Sequence, residues 1–239
     1  MFDFFQLTII LFFTLTAAPS ARVSHASWDR ILKDHVSSSG TVNYKKMQSN
    51  KTSLDQYLKE LSANPPQAAW SENERKAYWI NAYNAFTVSL VLKHYPIKSI
   101  KDIGGLFKSP WDLEFINIGK ETYTLNRIEH EILRKEFNDP RIHFAIVCAS
   151  RSCPVLLNAA YDPLQLDKQL DQQTRVFLAD SFRNRISVNT VEISKIFDWF
   201  KDDFTVNGTL IQFLNRYSHV SINSNASVTY LDYDWSLNE

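Results

Sequence analysis

The sequence predicts an α+β fold: one domain of helices packed on a small central sheet. Three observations carry this expectation. A helix from Ser71 to His94 is apolar nearly all round between Ala77 and Leu92, which marks it as buried. Short alternating runs between Trp111 and Tyr123 and between Arg185 and Ser194 read as strands. Ile142 to Cys148 is an unbroken apolar segment, the pattern of a central strand covered on both faces.

In chain order, Trp28–Val36 and Ser53–Leu61 are amphipathic and helical, separated by a Ser-Ser-Ser-Gly turn and closed by Asn64-Pro65-Pro66. They read as a lid or clasp at the N-terminal end. Ser71 and Glu74 form a capping box that opens the buried helix, and Pro96 stops it. Gly104-Gly105 breaks the chain before a hairpin around Gly119-Lys120. A second helix spans Leu125 to about Phe137, ended by Asn138-Asp139-Pro140. After the apolar strand at 142–148, Asp162-Pro163 opens a helix to about Ser181, and Thr209–Tyr217 is the last helix.

With 239 residues the chain is long enough for one domain with its own core. Its 26 Lys+Arg balance 26 Asp+Glu and 13% of its residues are aromatic, which excludes a disordered chain and the basic footprint of a nucleic-acid binder. Two cysteines are too few for a small disulfide scaffold. Leu7 to Ala18 is an almost unbroken apolar run followed by Pro19, Ser20 and Ala21, the core and cleavage region of a secretory signal. At about a dozen residues it is short of the roughly 20 that a spanning helix needs. The expectation is a secreted or periplasmic protein cut near Ala21, touching membrane only if that segment stays uncleaved, with a single globular domain over 22–239.

Polar residues in apolar surroundings mark the candidate site. Projected at about 100° per residue, Glu129 falls inside the apolar arc of the second helix and His130 at its edge. A core-facing carboxylate is either paired as a brace or held with a raised pKa beside a pocket. Asn81 and Asn84 share one face of the buried helix and need partners there, either a loop backbone to clamp or a substrate to hold. Both cysteines lie in Cys148-Ala149-Ser150-Arg151-Ser152-Cys153-Pro154, just after the expected strand. A thiolate there can be stabilised by Arg151 or by backbone amides; alternatively Cys148 and Cys153 close a small disulfide loop.

On a strand His143 and Cys148, five apart, leave opposite faces, which leaves His130 as the better base for Cys148. Glu129 lies about 100° away from His130 around the helix, so Asn81 or Asn84 is an equal candidate to orient it. His130, His143, Cys148 and Cys153 do not have a zinc-site spacing, and no metal is expected. The phosphate-loop, dinucleotide, zincin and serine-hydrolase motifs are all missing from the sequence, so no cofactor is expected either. Trp70, Trp79, Tyr83 and Trp111 are aromatic residues that would line either a pocket or the core.

Four ordered stretches resemble the family known as domain of unknown function 547. They are Trp79–Phe86, Tyr123–His130, Asp139–Cys148 continuing to Cys153-Pro154, and the tail Tyr233–Asn238. The resemblance implies one α+β domain, found alone in exported bacterial proteins and joined to other modules in plants and animals, with no established activity. It also implies that intracellular members carry the same cysteine pair, which weighs against a permanent bridge.

Two expectations of different class result. The first is an exported thiol-dependent hydrolase or acyl transferase acting on a peptide or small-molecule amide. Cys148 is its nucleophile and His130 its base; Glu129, Asn81 or Asn84 orients the histidine, Arg151 or backbone amides near Cys153 hold the developing oxyanion, and Asn84, Arg151 and His143 are the binding residues. The second is a non-catalytic binding or scaffold domain of the cell envelope with Cys148 and Cys153 bridged.

Overall fold

The computed structural model describes residues 22–105 and 108–239; the apolar run and cleavage region at 1–21 lie outside the described residues. The α+β class holds, but the sheets are small and peripheral, and a helix occupies the centre.

Three helices open the chain: α1 (Ala26–His35), α2 (Tyr44–Ser49) and α3 (Thr52–Ala63). They are part of the main core and not a lid. Trp28, Leu54, Tyr57 and Leu61 are essentially inaccessible, and Trp28 stacks on Tyr57 with ring centroids 5.8 Å apart. The central helix α4 (Glu72–His94) begins at the expected capping box, with Ser71 Oγ accepting from Glu74 N–H and the Glu74 carboxylate from Ser71 N–H. All but one of its residues from Lys76 to Leu92 are buried, because α1–α3, the hairpin β1 (Ile116–Ile118) and β2 (Glu121–Tyr123), and the cysteine segment surround it. No helix among the described residues is long and apolar enough to cross a membrane.

The second helix is wound differently from the expectation. Arg127–Leu133 is a π-helix, followed by one α-helical turn, α5 (Arg134–Phe137). Arg134 N–H reaches back to Glu129 C=O, five residues away. Such windings are rare and are often found at functional sites.

The expected central strand at 142–148 is absent. Asn138 adopts a left-handed conformation (φ 47°) that ends α5, and the Asp139 carboxylate accepts from Arg141 N–H. Pro140 then starts a 3-10 turn over Pro140–Phe144, followed by irregular backbone. Burial on all sides made the segment look like a strand, but a short apolar run reads the same in a buried turn. Its backbone groups are satisfied by a side chain and not by a ladder: Asn84 donates to Ala145 C=O (2.9 Å) and accepts from Val147 N–H (2.9 Å).

Beyond it run α6 (Leu166–Ala179), which starts after the turn at Asp162-Pro163, β3 (Arg185–Ile186) and β4 (Thr190–Ile193). Then come α7 (Ile196–Trp199), α8 (Lys201–Thr205), α9 (Leu210–Tyr217) and β5 (Ser227–Tyr230). β4 pairs antiparallel with β3 and parallel with β5. Phe144, Phe177, Phe197, Phe204 and Phe213 form a second, aromatic core under these elements. The final segment crosses back to the first core. Its backbone bonds to the cysteine segment through Arg151 N–H to Ser236 C=O and Ser152 N–H to Asp234 C=O, and Val42 N–H donates to Asn238 C=O.

Candidate functional site

A cavity of about 180 Å³ opens where the two cores meet. α4 contributes Tyr83, the π-helix Glu129 and His130, the 3-10 turn His143, and the following loop Cys148 and Cys153. Its apolar wall is Trp111, Ile196, Trp199, Phe200, Tyr233 and Trp235. Of the four aromatic candidates read from the sequence, Tyr83 and Trp111 line this cavity; Trp70 and Trp79 do not.

Cys148 is half-buried and surrounded by hydrogen-bonding groups. Its Sγ lies 3.1 Å from Ser150 Oγ, 3.3 Å from Tyr233 Oη and 2.8 Å from Cys153 Sγ. Burial opposes ionisation of the thiol, but hydrogen bonds from Cys153, Ser150 and Tyr233 outweigh it and bring Cys148 down to about 7. Cys153, behind it, is pushed well up by burial and by the neighbouring sulfur. The two stand as free thiols, so the disulfide of the scaffold expectation is not formed. Ala149 holds the turn between them at φ 58°, a left-handed conformation that costs a residue with a Cβ about 1–2 kcal/mol. Backbone strain of this kind gathers at functional sites.

Glu129 is buried against the cavity and accepts a hydrogen bond from Tyr83 Oη (3.1 Å). Burial raises its pKa to about 7, against the pull of Tyr83, and negative charge on Cys148 adds to the rise. A carboxyl raised this far is suited to proton transfer near neutral pH.

His130 and Cys148 both line the cavity. Among the described residues no hydrogen bond joins the two; His130 Nδ1 instead lies 3.1 Å from Arg134 Nη1. A guanidinium only donates, so Nδ1 is an acceptor here and Nε2 carries the proton. Burial and the Arg134 charge lower the His130 pKa, which keeps the ring neutral. His130 therefore offers the cavity a donor. Arg134 is held in turn by a two-pronged ion pair with Asp203 (2.6 and 3.0 Å), and His143 Nε2 lies 2.7 Å from the same carboxylate. His143 also stacks on Phe200 at 4.1 Å, and burial lowers its pKa despite Asp203. Asp203 itself, although burial works against its charge, is held well below the usual carboxylate range by His143 and Arg134.

Three other expected site residues are elsewhere. Asn81 clamps the Tyr161 backbone, donating to its C=O (2.8 Å) and accepting from its N–H (3.0 Å). Asn84 clamps Ala145 and Val147, so both amides have used their strongest positions on backbone and neither lines the cavity. Arg151 is mostly exposed, over the Phe182 ring and 3.9 Å from Asp234, and does not line the cavity. The argument that placed His143 and Cys148 on opposite strand faces fails with the strand, and both side chains line the cavity. Tyr233, Arg134 and Asp203 were missed. Tyr233 lay within the tail stretch of the resemblance, while Arg134 and Asp203 carry no local signal. Among the described residues no group of three or more His, Cys, Asp or Glu side chains is placed to hold a metal ion.

Residues 67–178 match the model of a family described as a protein of unknown function, DUF547. Over that stretch the chain carries a DUF547 domain. The DUF547 match contains α4, the π-helix and both cysteines; it leaves out Ile196, Trp199, Phe200, Tyr233 and Trp235, the opposite wall of the cavity. No curated protein and no solved structure matches the chain significantly.

Proposed function

We propose that this DUF547 protein is a thiol-dependent acyl-transfer enzyme or hydrolase that cleaves amide or peptide bonds, with Cys148 as nucleophile and Glu129, not His130, as proton carrier. One observation carries the reading: a thiol whose pKa is brought to about 7 faces an apolar cavity that also holds a carboxyl at about 7. Cys148 Sγ attacks the carbonyl carbon, and the protonated Glu129 gives its proton to the leaving amine as the C–N bond breaks. The Glu129 carboxylate then takes a proton from water, which attacks the thioester and releases the acid and the Cys148 thiolate. His130 Nε2–H is the donor available to the developing oxyanion. The size and aromatic lining fit a compact apolar acyl group, since a dry cavity of about 150 Å³ already accepts benzene. The apolar run at Leu7–Ala18 supports an extracytoplasmic location for this activity.

The test uses nitrophenyl benzoate, whose leaving group needs no proton from the enzyme. The wild-type protein is expected to release nitrophenolate in a burst and then turn over. Glu129→Gln is expected to accumulate a benzoyl group on Cys148, visible by intact mass, because hydrolysis of the thioester lacks its base. Hydrolysis by Cys148→Ala at the wild-type rate would overturn the proposal.

A further inference from the structure

Acyl transfer needs one sulfur, and this site holds two. Cys153 Sγ is 2.8 Å from Cys148 Sγ and also accepts from Cys148 N–H at 2.8 Å, so its position is set by the backbone of its neighbour. The two differ in access. Cys148 is half-buried, whereas Cys153 is 3% exposed. The loop that carries them is closed on itself by Cys153 N–H to Ser150 C=O, and it is held from outside by the tail at Arg151 and Ser152.

We propose that Cys148 and Cys153 form a thiol–disulfide exchange pair acting on small disulfides that enter the aromatic cavity, Cys148 attacking and Cys153 resolving. The asymmetry of the two thiols, one brought down by its hydrogen bonds and the other raised by burial, agrees with this division of roles. The Cys148 thiolate attacks one sulfur of a disulfide RS–SR. The S–S bond breaks, and RS⁻ leaves and is protonated to RSH. Cys153 then loses its proton and attacks Cys148 Sγ in the mixed disulfide, expelling the second RS⁻, which takes up that proton. The enzyme dithiol is oxidised, the disulfide is reduced to two thiols, and an external thiol reverses the sequence. Because the sulfurs are 2.8 Å apart, resolution requires only a short approach of Cys153 to Cys148. The oxidised form has no free Cys148 and is inactive in acyl transfer, so the pair also gates the proposed reaction.

The experiment treats the full chain with 2-hydroxyethyl disulfide and follows intact mass and released mercaptoethanol. The expected wild-type product has lost two hydrogens, carries no adduct and has released two mercaptoethanol molecules. Cys153→Ser and, as a second variant with a small apolar side chain, Cys153→Ala are expected to stop with one mercaptoethanol attached to Cys148. Cys148→Ser is expected to react at least about tenfold more slowly. A wild-type protein that keeps its adduct, that does not react, or that is matched in rate by Cys148→Ser would overturn the proposal. The exchange and the nitrophenyl benzoate burst are both read on the wild-type protein. Loss of exchange with the burst intact therefore sinks this inference alone, and loss of the burst with exchange intact sinks only the acyl-transfer reading.

Discussion

Two helices in this molecule each carry a pair of polar residues into apolar surroundings, and they use them in opposite ways. On α4, Asn81 and Asn84 each hold one backbone donor and one backbone acceptor at 2.8 to 3.0 Å. On the π-helix, among the described residues, the Glu129 side chain has a single bond to Tyr83 and that of His130 a single bond to Arg134, and both face the cavity. A buried polar group whose hydrogen bonds are complete is part of the architecture. One left with capacity beside a cavity has a raised or lowered pKa and is available for chemistry. The same sequence signal, a polar residue where an apolar one is expected, thus stands for two different roles.

The sharpest way to break this comparison is Asn84→Leu. The change keeps apolar volume but leaves Ala145 C=O and Val147 N–H buried without partners, so it is expected to cost about 3–5 kcal/mol in urea denaturation. A cost under about 1 kcal/mol would show that the clamp is not structural.

The contrasting change is Glu129→Gln, expected to stabilise the protein at neutral pH and above. The folded-state pKa of Glu129 is raised from 4.5 to about 7, so the native state keeps a proton that the unfolded chain has lost. Stability from this group is therefore complete below about 4.5 and falls as pH rises toward 7. The Gln variant has no such slope, and above that window it should exceed wild type by about 3 kcal/mol. Parallel denaturation of both proteins at pH steps across the window measures the difference directly, and equal slopes would contradict the raised carboxyl.

The smallest effect sharpens the electrostatics of the thiol. Tyr233→Phe removes one of the groups hydrogen-bonded to Cys148 and is expected to raise the pH midpoint of its alkylation by roughly one unit. An unchanged midpoint would mean that Ser150 and Cys153 alone hold the thiolate.

Much of the helical framework was legible because its signals are local. The Ser71/Glu74 capping box placed the start of α4, and the continuous apolar stretch from Ala77 predicted its burial. The inward position of Glu129 was also readable from periodicity, even though the helix is wound as π. The segment 142–148 was misread because its apolar run records burial on every side but not conformation; Pro140, the left-handed Asn138 and the Asn84 clamp decide for a turn. The partners of His130 were out of reach for a related reason. The sequence shows an ionisable ring near Cys148, but only the packing places Arg134 on its Nδ1 and Asp203 behind Arg134.

By itself, then, the sequence determined the α+β class, the buried helix, the position of the thiols in one short loop and the core-facing carboxyl. These depend on periodicity, caps and chain neighbours, which act over a few residues. The tertiary structure alone decided which polar groups are spent and which are free. It brought Tyr233 from the tail to Cys148 across 85 positions and Asp203 to His143 across 60. Protonation and reactivity depend on such long-range neighbours, because burial and the partners a group meets set the energy of its charge.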